Sequence, residues 1–150
     1  MCVMSKARKA AVVIVFVITL LAVTTIVLGC HKGNRRDFPT LGPVTSITVV
    51  GLDGSKELVT VTDQQVVYQI VAFVDSRRTG WETPWYGIPV PTITAEFFNG
   101  TQFKGSFGSG TNFFETQREG VFCSRSASPS EVRRFLDLLG VDGDGRLTSR

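Results

Sequence analysis

The sequence predicts an α+β fold: an antiparallel sheet of about five to six strands with two amphipathic helices packed on one face. Three observations carry this. Short runs alternate β-branched or aromatic residues with polar ones and are separated by glycine-bearing turns. Two other segments repeat their apolar residues at helical spacing. Ten of the 11 Phe follow residue 29, enough bulk to fill a core without disulfides. A chain of 150 residues suits one ordinary domain.

The elements follow in order. Residues 44–50 and 57–61 alternate around Asp53-Gly54, the signal of a hairpin. Thr62 and Gln65 stand at capping-box spacing, so a helix is expected over 63–75 with an apolar stripe of Val66, Val67, Ile70, Val71, Phe73 and Val74. Arg77 and Arg78 suit the carbonyl end of that helix, and Gly80 can supply a left-handed stop. A second hairpin joins 92–98 to 101–107. A three-residue loop Phe98-Asn99-Gly100 would pair Ala95 with Phe103 and bury Ile93, Ala95, Phe97, Phe103 and Gly105 together. Shorter strands are expected near 111–116 and 120–124, turning at 117–120. The last helix starts at Ser128, with Pro129 in its first turn and Glu131 three residues after the cap. Val132, Phe135, Leu136 and Leu139 form its core face, and Gly140 ends it. Residues 142–150 are expected to be a disordered tail.

The N-terminus has a different character. Lys6, Arg8 and Lys9 form a positive n-region, and residues 10–28 carry no charge. Removing those three cations leaves 13 basic against 13 acidic residues, so residues 30–150 are neutral. A neutral domain lacks the basic face that phosphates require, and nucleic acid is not an expected partner. The apolar run ends in Val27-Leu28-Gly29-Cys30, which resembles the lipobox of bacterial lipoproteins. The resemblance implies that the Cys30 thiol receives a diacylglycerol and that a peptidase cuts after Gly29. Residues 1–29 would then be a signal peptide, 30–43 a flexible tether, and 44–141 an α+β domain held at the extracytoplasmic side of the membrane by its lipid. The run is also long enough to span a bilayer, so an uncleaved transmembrane anchor is the alternative. Both readings place the domain outside the cytoplasm. Cys2 belongs to the leader and Cys30 to the lipid, which leaves Cys123 as a lone thiol, expected to be a small buried hydrophobe in a strand.

His31 is the only His and falls in the tether. Within the domain that removes a His-activated Ser or Cys nucleophile and any His-bearing zinc site. No cofactor is expected, and no metal: the Asp142-Gly143-Asp144-Gly145 run has Arg146 where a calcium loop needs an acid. The glycine-rich 108–111 is expected to be a flexible turn rather than a phosphate loop, because no P-loop Lys accompanies it. Glu96, Glu115 and Glu119 are expected to be solvated carboxylates.

One segment stands apart. Residues 79–91 (TGWETPWYGIPVP) gather Trp81, Trp85, Tyr86 and three prolines. Stiff backbone and large aromatic area suit a binding loop, with Arg77 and Arg78 beside it for an anionic contact. In the alternative, the Trp side chains fold back over an open edge of the core. The sequence therefore points to a non-enzymatic, membrane-tethered accessory or binding domain of the cell envelope, with an envelope protein or ligand at residues 79–91. A small extracytoplasmic inhibitor or immunity-type protein is one alternative, and an enzyme without His-based catalysis is another.

Overall fold

A computed structural model describes residues 35–51, 57–84, 87, 89–142 and 146. The strands are β1 (Arg35–Arg36), β2 (Ser46–Gly51), β3 (Glu57–Val61), β4 (Trp81–Glu82), β5 (Ile93–Asn99), β6 (Gln102–Ser109), β7 (Phe113–Arg118) and β8 (Val121–Ser126). The helices are α1 (Gln64–Asp75) and α2 (Pro129–Leu139). The fold is α+β with an antiparallel sheet, but the sheet has eight strands in the order β1-β4-β8-β7-β6-β5-β2-β3. The expected five to six omitted β1 and β4. Two residues carry no alternation, so such strands leave no periodic trace in a sequence.

Both helices pack on one face. Ile47 and Val49 of β2, Ile93, Ala95 and Phe97 of β5, Phe107 of β6, Phe114 of β7 and Cys123 of β8 line that face and are fully or nearly fully buried. The helices answer with Val67, Ile70, Phe73 and Val74 from α1 and Val132, Phe135, Leu136 and Leu139 from α2. At the centre, Phe73 stacks on Phe135 at 5.5 Å between ring centroids, and Phe107 meets Phe114 at 4.8 Å and Phe135 at 5.0 Å.

Helix α1 contains Val66, Val67, Ile70, Val71 and Val74, whose branched side chains disfavour an isolated helix. Burial of its stripe and a cap hold it instead. The cap is Asp63 rather than Thr62: its Oδ1 accepts from the Gln65 and Val66 amides at 2.9 and 3.1 Å. Ser76, not Gly80, closes the helix. Helix α2 starts with the expected capping box, Ser128 Oγ accepting from the Glu131 amide and Glu131 Oε2 from the Ser128 amide, and ends on Gly140 in the left-handed region.

The β5–β6 hairpin corrects the expected register. Asn99 pairs with Gln102 and Phe98 with Phe103 around a two-residue turn at Gly100 and Thr101. The extra residue enters at Lys104 instead, as a bulge, after which Phe97 pairs with Gly105 and Ala95 with Phe107. Ile93, Ala95 and Phe97 are buried as expected, whereas Phe103 is 46% exposed and pairs with Phe98 on the helix-free face. Gly105 sits just past the bulge at φ 141°, where a Cβ would stand 2.8 Å from the Gln117 carbonyl oxygen.

The segment expected to be a tether is, from residue 35, part of the domain. Phe38 and Leu41 are buried, and the Phe38 amide donates to the Arg78 carbonyl at 2.9 Å. The Leu41 amide donates to Asp75 Oδ1 at 3.0 Å, and Arg118 Nη1 to the Pro39 carbonyl at 2.7 Å. Two apolar side chains in a Gly/Pro-rich stretch show no period, yet they fill the end of the core beside Trp81. The described part of the expected tail, Asp142 and Arg146, closes a turn: each backbone amide bonds to the other residue.

Phe135→Ala should therefore destabilise the protein by about 3–5 kcal/mol in urea melts, and Phe38→Ala by about 3 kcal/mol. Phe103→Ala should cost less than about 1 kcal/mol, since half its ring is already in water. A neutral Phe38→Ala would show that residues 35–41 add nothing to the fold.

Candidate functional site

On the face opposite the helices, register aligns a row across five strands: Glu82 of β4, Ser124 of β8, Glu115 of β7, Gly108 of β6 and Thr94 of β5. The chain leaves this row at Glu82 and rejoins it at Thr94. Four strand spacings separate the two, about 19 Å. Near the far end Pro91 rests directly on β6. A Cβ on Gly108 would stand 2.7 and 2.8 Å from the Pro91 ring carbons and 3.0 Å from Thr94 Oγ1, so only glycine lets the connection lie this close. The 108–111 glycines are thus split between roles: Gly108 and Ser109 belong to β6, and the Gly110 amide bonds the Phe113 carbonyl in the turn that follows.

Glu115 lies in the middle of this row. It was expected to be solvated, but it is only 7% exposed, and its Oε2 is buried with no hydrogen-bond partner among the described residues. Burial pushes its carboxyl above the ordinary carboxylate range, because desolvation disfavours the charged form. A cavity of about 220 Å³ opens beside it, walled by Glu82, Pro89, Asn112, Phe113, Ser124, Ser126 and Arg125. Glu115 stands immediately behind two of these walls, directly across from Ser124 and two residues along β7 from Phe113. Glu96 lies on the same face one row away and is half-buried. Arg35 pairs with Glu82 at 3.6 Å, but both side chains are more than half exposed, a geometry worth about 0–1 kcal/mol. Arg125 directs its charge to the other side, with Nη1 3.4 Å from the Thr79 carbonyl and its guanidinium 5.9 Å from the Trp81 ring. The cavity walls are largely polar, with Glu82 as their one carboxylate, and Glu115 does not itself line the cavity. A second cavity, of about 200 Å³, lies between α2 and the sheet end, lined by Ile93, Val132 and Leu136 with Thr92, Ser109, Gly110 and Thr111.

The residues singled out by sequence fall in different places. Trp81 is a core residue: it is 1% exposed, donates Nε1–H to the Arg77 carbonyl at 2.6 Å, and meets Phe38 and Phe107 edge-on. The alternative in which a Trp folds back onto the core describes it, and it offers no surface to a ligand. Arg77 links the two helices. Its guanidinium lies 3.6 Å over the Phe73 ring, Nη1 donates to the Phe73 carbonyl and to Ser76 Oγ, and Nε is 3.4 Å from Glu131 Oε1 without hydrogen-bond geometry. Burial lowers the Arg77 pKa, against the pull of Glu131; the Ser128 amide, more than Arg77, holds the Glu131 carboxyl below its ordinary range. Arg78 Nε donates to the Asp75 carbonyl at 3.2 Å, so both arginines serve the end of α1. Trp85 and Tyr86 lie outside the described residues, as do Gly29 and Cys30. Cys123 is fully buried in β8, as its setting predicts, with its Sγ 3.9 Å from Thr83 Oγ1.

Sequence reasoning missed Glu115 because its isolation depends on partners at 108 and 124 that only the register brings beside it. Among the described residues no three His, Cys, Asp or Glu side chains gather as metal ligands. Compared with protein-family models, curated proteins and solved structures, the chain finds no match.

The raised Glu115 carboxyl has a sign that can be checked. The unfolded chain releases this proton near pH 4.5, earlier than the folded one, so stability falls as pH rises through that value and levels off above the raised one. Glu115→Gln removes this titration. The melting temperature of the variant relative to the parent should climb as pH rises from about 4.5 towards neutrality. Parallel melting curves at all pH values would mean that the folded carboxyl is not perturbed.

Proposed function

We propose that the protein is a lipid-anchored binding module of the cell envelope, its α+β domain held at the extracytoplasmic surface by Cys30. The anchor is read from the charged start, the apolar run and the Val27-Leu28-Gly29-Cys30 motif. The observation that carries the binding half is Glu115: a buried acceptor left without a partner, beside a polar cavity on the sheet face that no helix covers. A protein interior rarely leaves such an oxygen unpaired unless a further group completes it. A non-enzymatic role is favoured by the position of the single His, in the segment next to the anchor rather than in the domain. Trp81 belongs to the core, so the aromatic contact area suggested for residues 79–91 reduces to Trp85 and Tyr86.

Two measurements test this reading. Cells fed a clickable fatty-acid analogue should label the parent, while Cys30→Ala should remain an unlabelled precursor that keeps residues 1–29. Equal labelling and processing would overturn the lipid anchor and favour the uncleaved one. In the domain, Trp81→Ala should cost about 3–5 kcal/mol. A Trp85→Ala, Tyr86→Ala double variant should melt near the parent, as exposed contact residues do. A large drop in the melting temperature of that variant would assign these rings to the core as well.

A further inference from the structure

We infer that the cavity between α2 and the end of the sheet binds a small uncharged molecule with an apolar body of about one ring and a single hydroxyl, phenol being its simplest form. This site is separate from Glu115 and does not depend on the lipid anchor.

The cavity has about 200 Å³ and lies on the helix-covered side of the sheet. Its floor is Ile93 of β5 and Ser109 of β6, which pair across the two strands. Its roof is Val132 and Leu136, one turn apart on α2. Ile93, Val132 and Leu136 are all buried, so most of the wall is apolar. An engineered protein cavity of about 150 Å³ takes benzene, so this one has room for a ring with a small substituent.

Ser109 sets the chemical class. It is only 2% exposed, and its hydroxyl has no hydrogen-bond partner among the described residues. The sealed side-chain atoms without a partner are Arg77 Nε, Glu115 Oε2 and Arg118 Nε. Ser109 Oγ is not one of them, so the little surface that Ser109 keeps includes its hydroxyl, beside the cavity it lines. Backbone groups here are already used: the Thr92 amide donates to the Ser109 carbonyl at 2.8 Å, and the Gly110 amide to the Phe113 carbonyl at 3.0 Å. What is left for a ligand is hydroxyls, Ser109 within and the more exposed Thr92 and Thr111 at the mouth. A hydroxyl donates and accepts, so a ligand hydroxyl satisfies it in either sense. Among the described residues no charged side chain lines the cavity, so an ion would lose hydration and meet no counter-charge. A neutral ring instead covers Ile93, Val132 and Leu136 and turns its hydroxyl to Ser109.

The test uses the full chain in detergent with labelled Ile, Leu and Val methyl groups, and phenol as the probe. NMR shifts of Ile93, Val132 and Leu136 read binding, and Val121, at the other end of the sheet on β8, is the remote control. Shifts confined to the first three separate binding from partition into the micelle. Phenol should saturate them below about 10 mM. Toluene, the same shape without the hydroxyl, should bind about two- to tenfold more weakly, the worth of one neutral hydrogen bond. Benzoate should not bind. Ser109→Ala should melt near the parent, since its hydroxyl holds nothing within the described chain, and should bring phenol down to the affinity of toluene. If that variant fails to fold, the three ligands on the parent decide. The proposal is overturned by shifts that fail to saturate or reach Val121 equally, by toluene or benzoate binding as tightly as phenol, or by a phenol preference that survives Ser109→Ala.

Discussion

Strand order is the constraint on which the rest of this structure depends. The late part of the chain forms a meander, β5 to β8, and the early strands are placed on both of its sides, β2 and β3 at one, β1 and β4 at the other. A chain that builds both flanks before the centre has to cross the sheet repeatedly. Residues 37–45 cross between β1 and β2, the α1 segment crosses from β3 to β4, and residues 83–92 cross from β4 to β5. The first two crossings bring their apolar groups to the same side, where Phe38, Leu41 and the α1 stripe meet α2 and close the core. The third starts and ends on the opposite face's row from Glu82 to Thr94.

That division explains the chemistry of the two faces. The helix side is filled by rings: Phe73, Phe107, Phe114 and Phe135 contact one another, and Trp81 and Phe38 extend the cluster to the β4 edge. Even the cations there are used as packing material. The Arg77 guanidinium lies 3.6 Å over the Phe73 ring, and Arg118, 6% exposed, lies 5.5 Å from the Phe38 ring while it donates to the Pro39 carbonyl. The other face has no helix to dehydrate it uniformly. A carboxyl buried on this polar row, as Glu115 is, cannot be charged without cost.

The two perturbed carboxylates show how local the outcome is. Glu131 is favoured in its charged form by the Ser128 amide and hydroxyl at the start of α2, with Arg77 adding to it. Glu115 is shifted by burial, and its shift runs the other way. One carboxylate completes a cap and an interhelix link; the other has an oxygen without a hydrogen-bond partner among the described residues. The opposite shifts of the two follow from hydrogen-bond satisfaction and burial, not from residue type.

Much of the architecture was legible in the residues. The α+β class, the β2–β3 and β5–β6 hairpins, the turn before β8 and the limits of α2 follow from local patterns: alternation, glycine turns and a Ser-Pro-Ser-Glu cap. Helix α1 was legible in extent but not in its cap, because Thr62 and Asp63 are both competent and backbone geometry chose between them. The candidate site was legible only in outline. The unusual composition of 79–91 singled out that connection, yet its Trp81 went to the core, and the buried Glu115 with its unpartnered oxygen lies on a strand many residues away. Sequence by itself determined the elements, the apolar faces and the motif around Cys30, since each is written within a few neighbouring residues. Tertiary structure alone decided the two short strands β1 and β4, the bulge at Lys104, the burial of Phe38 and the isolation of Glu115. Those depend on which distant strands are placed side by side, and a two-residue strand or a lone carboxyl has no local period to announce its neighbours.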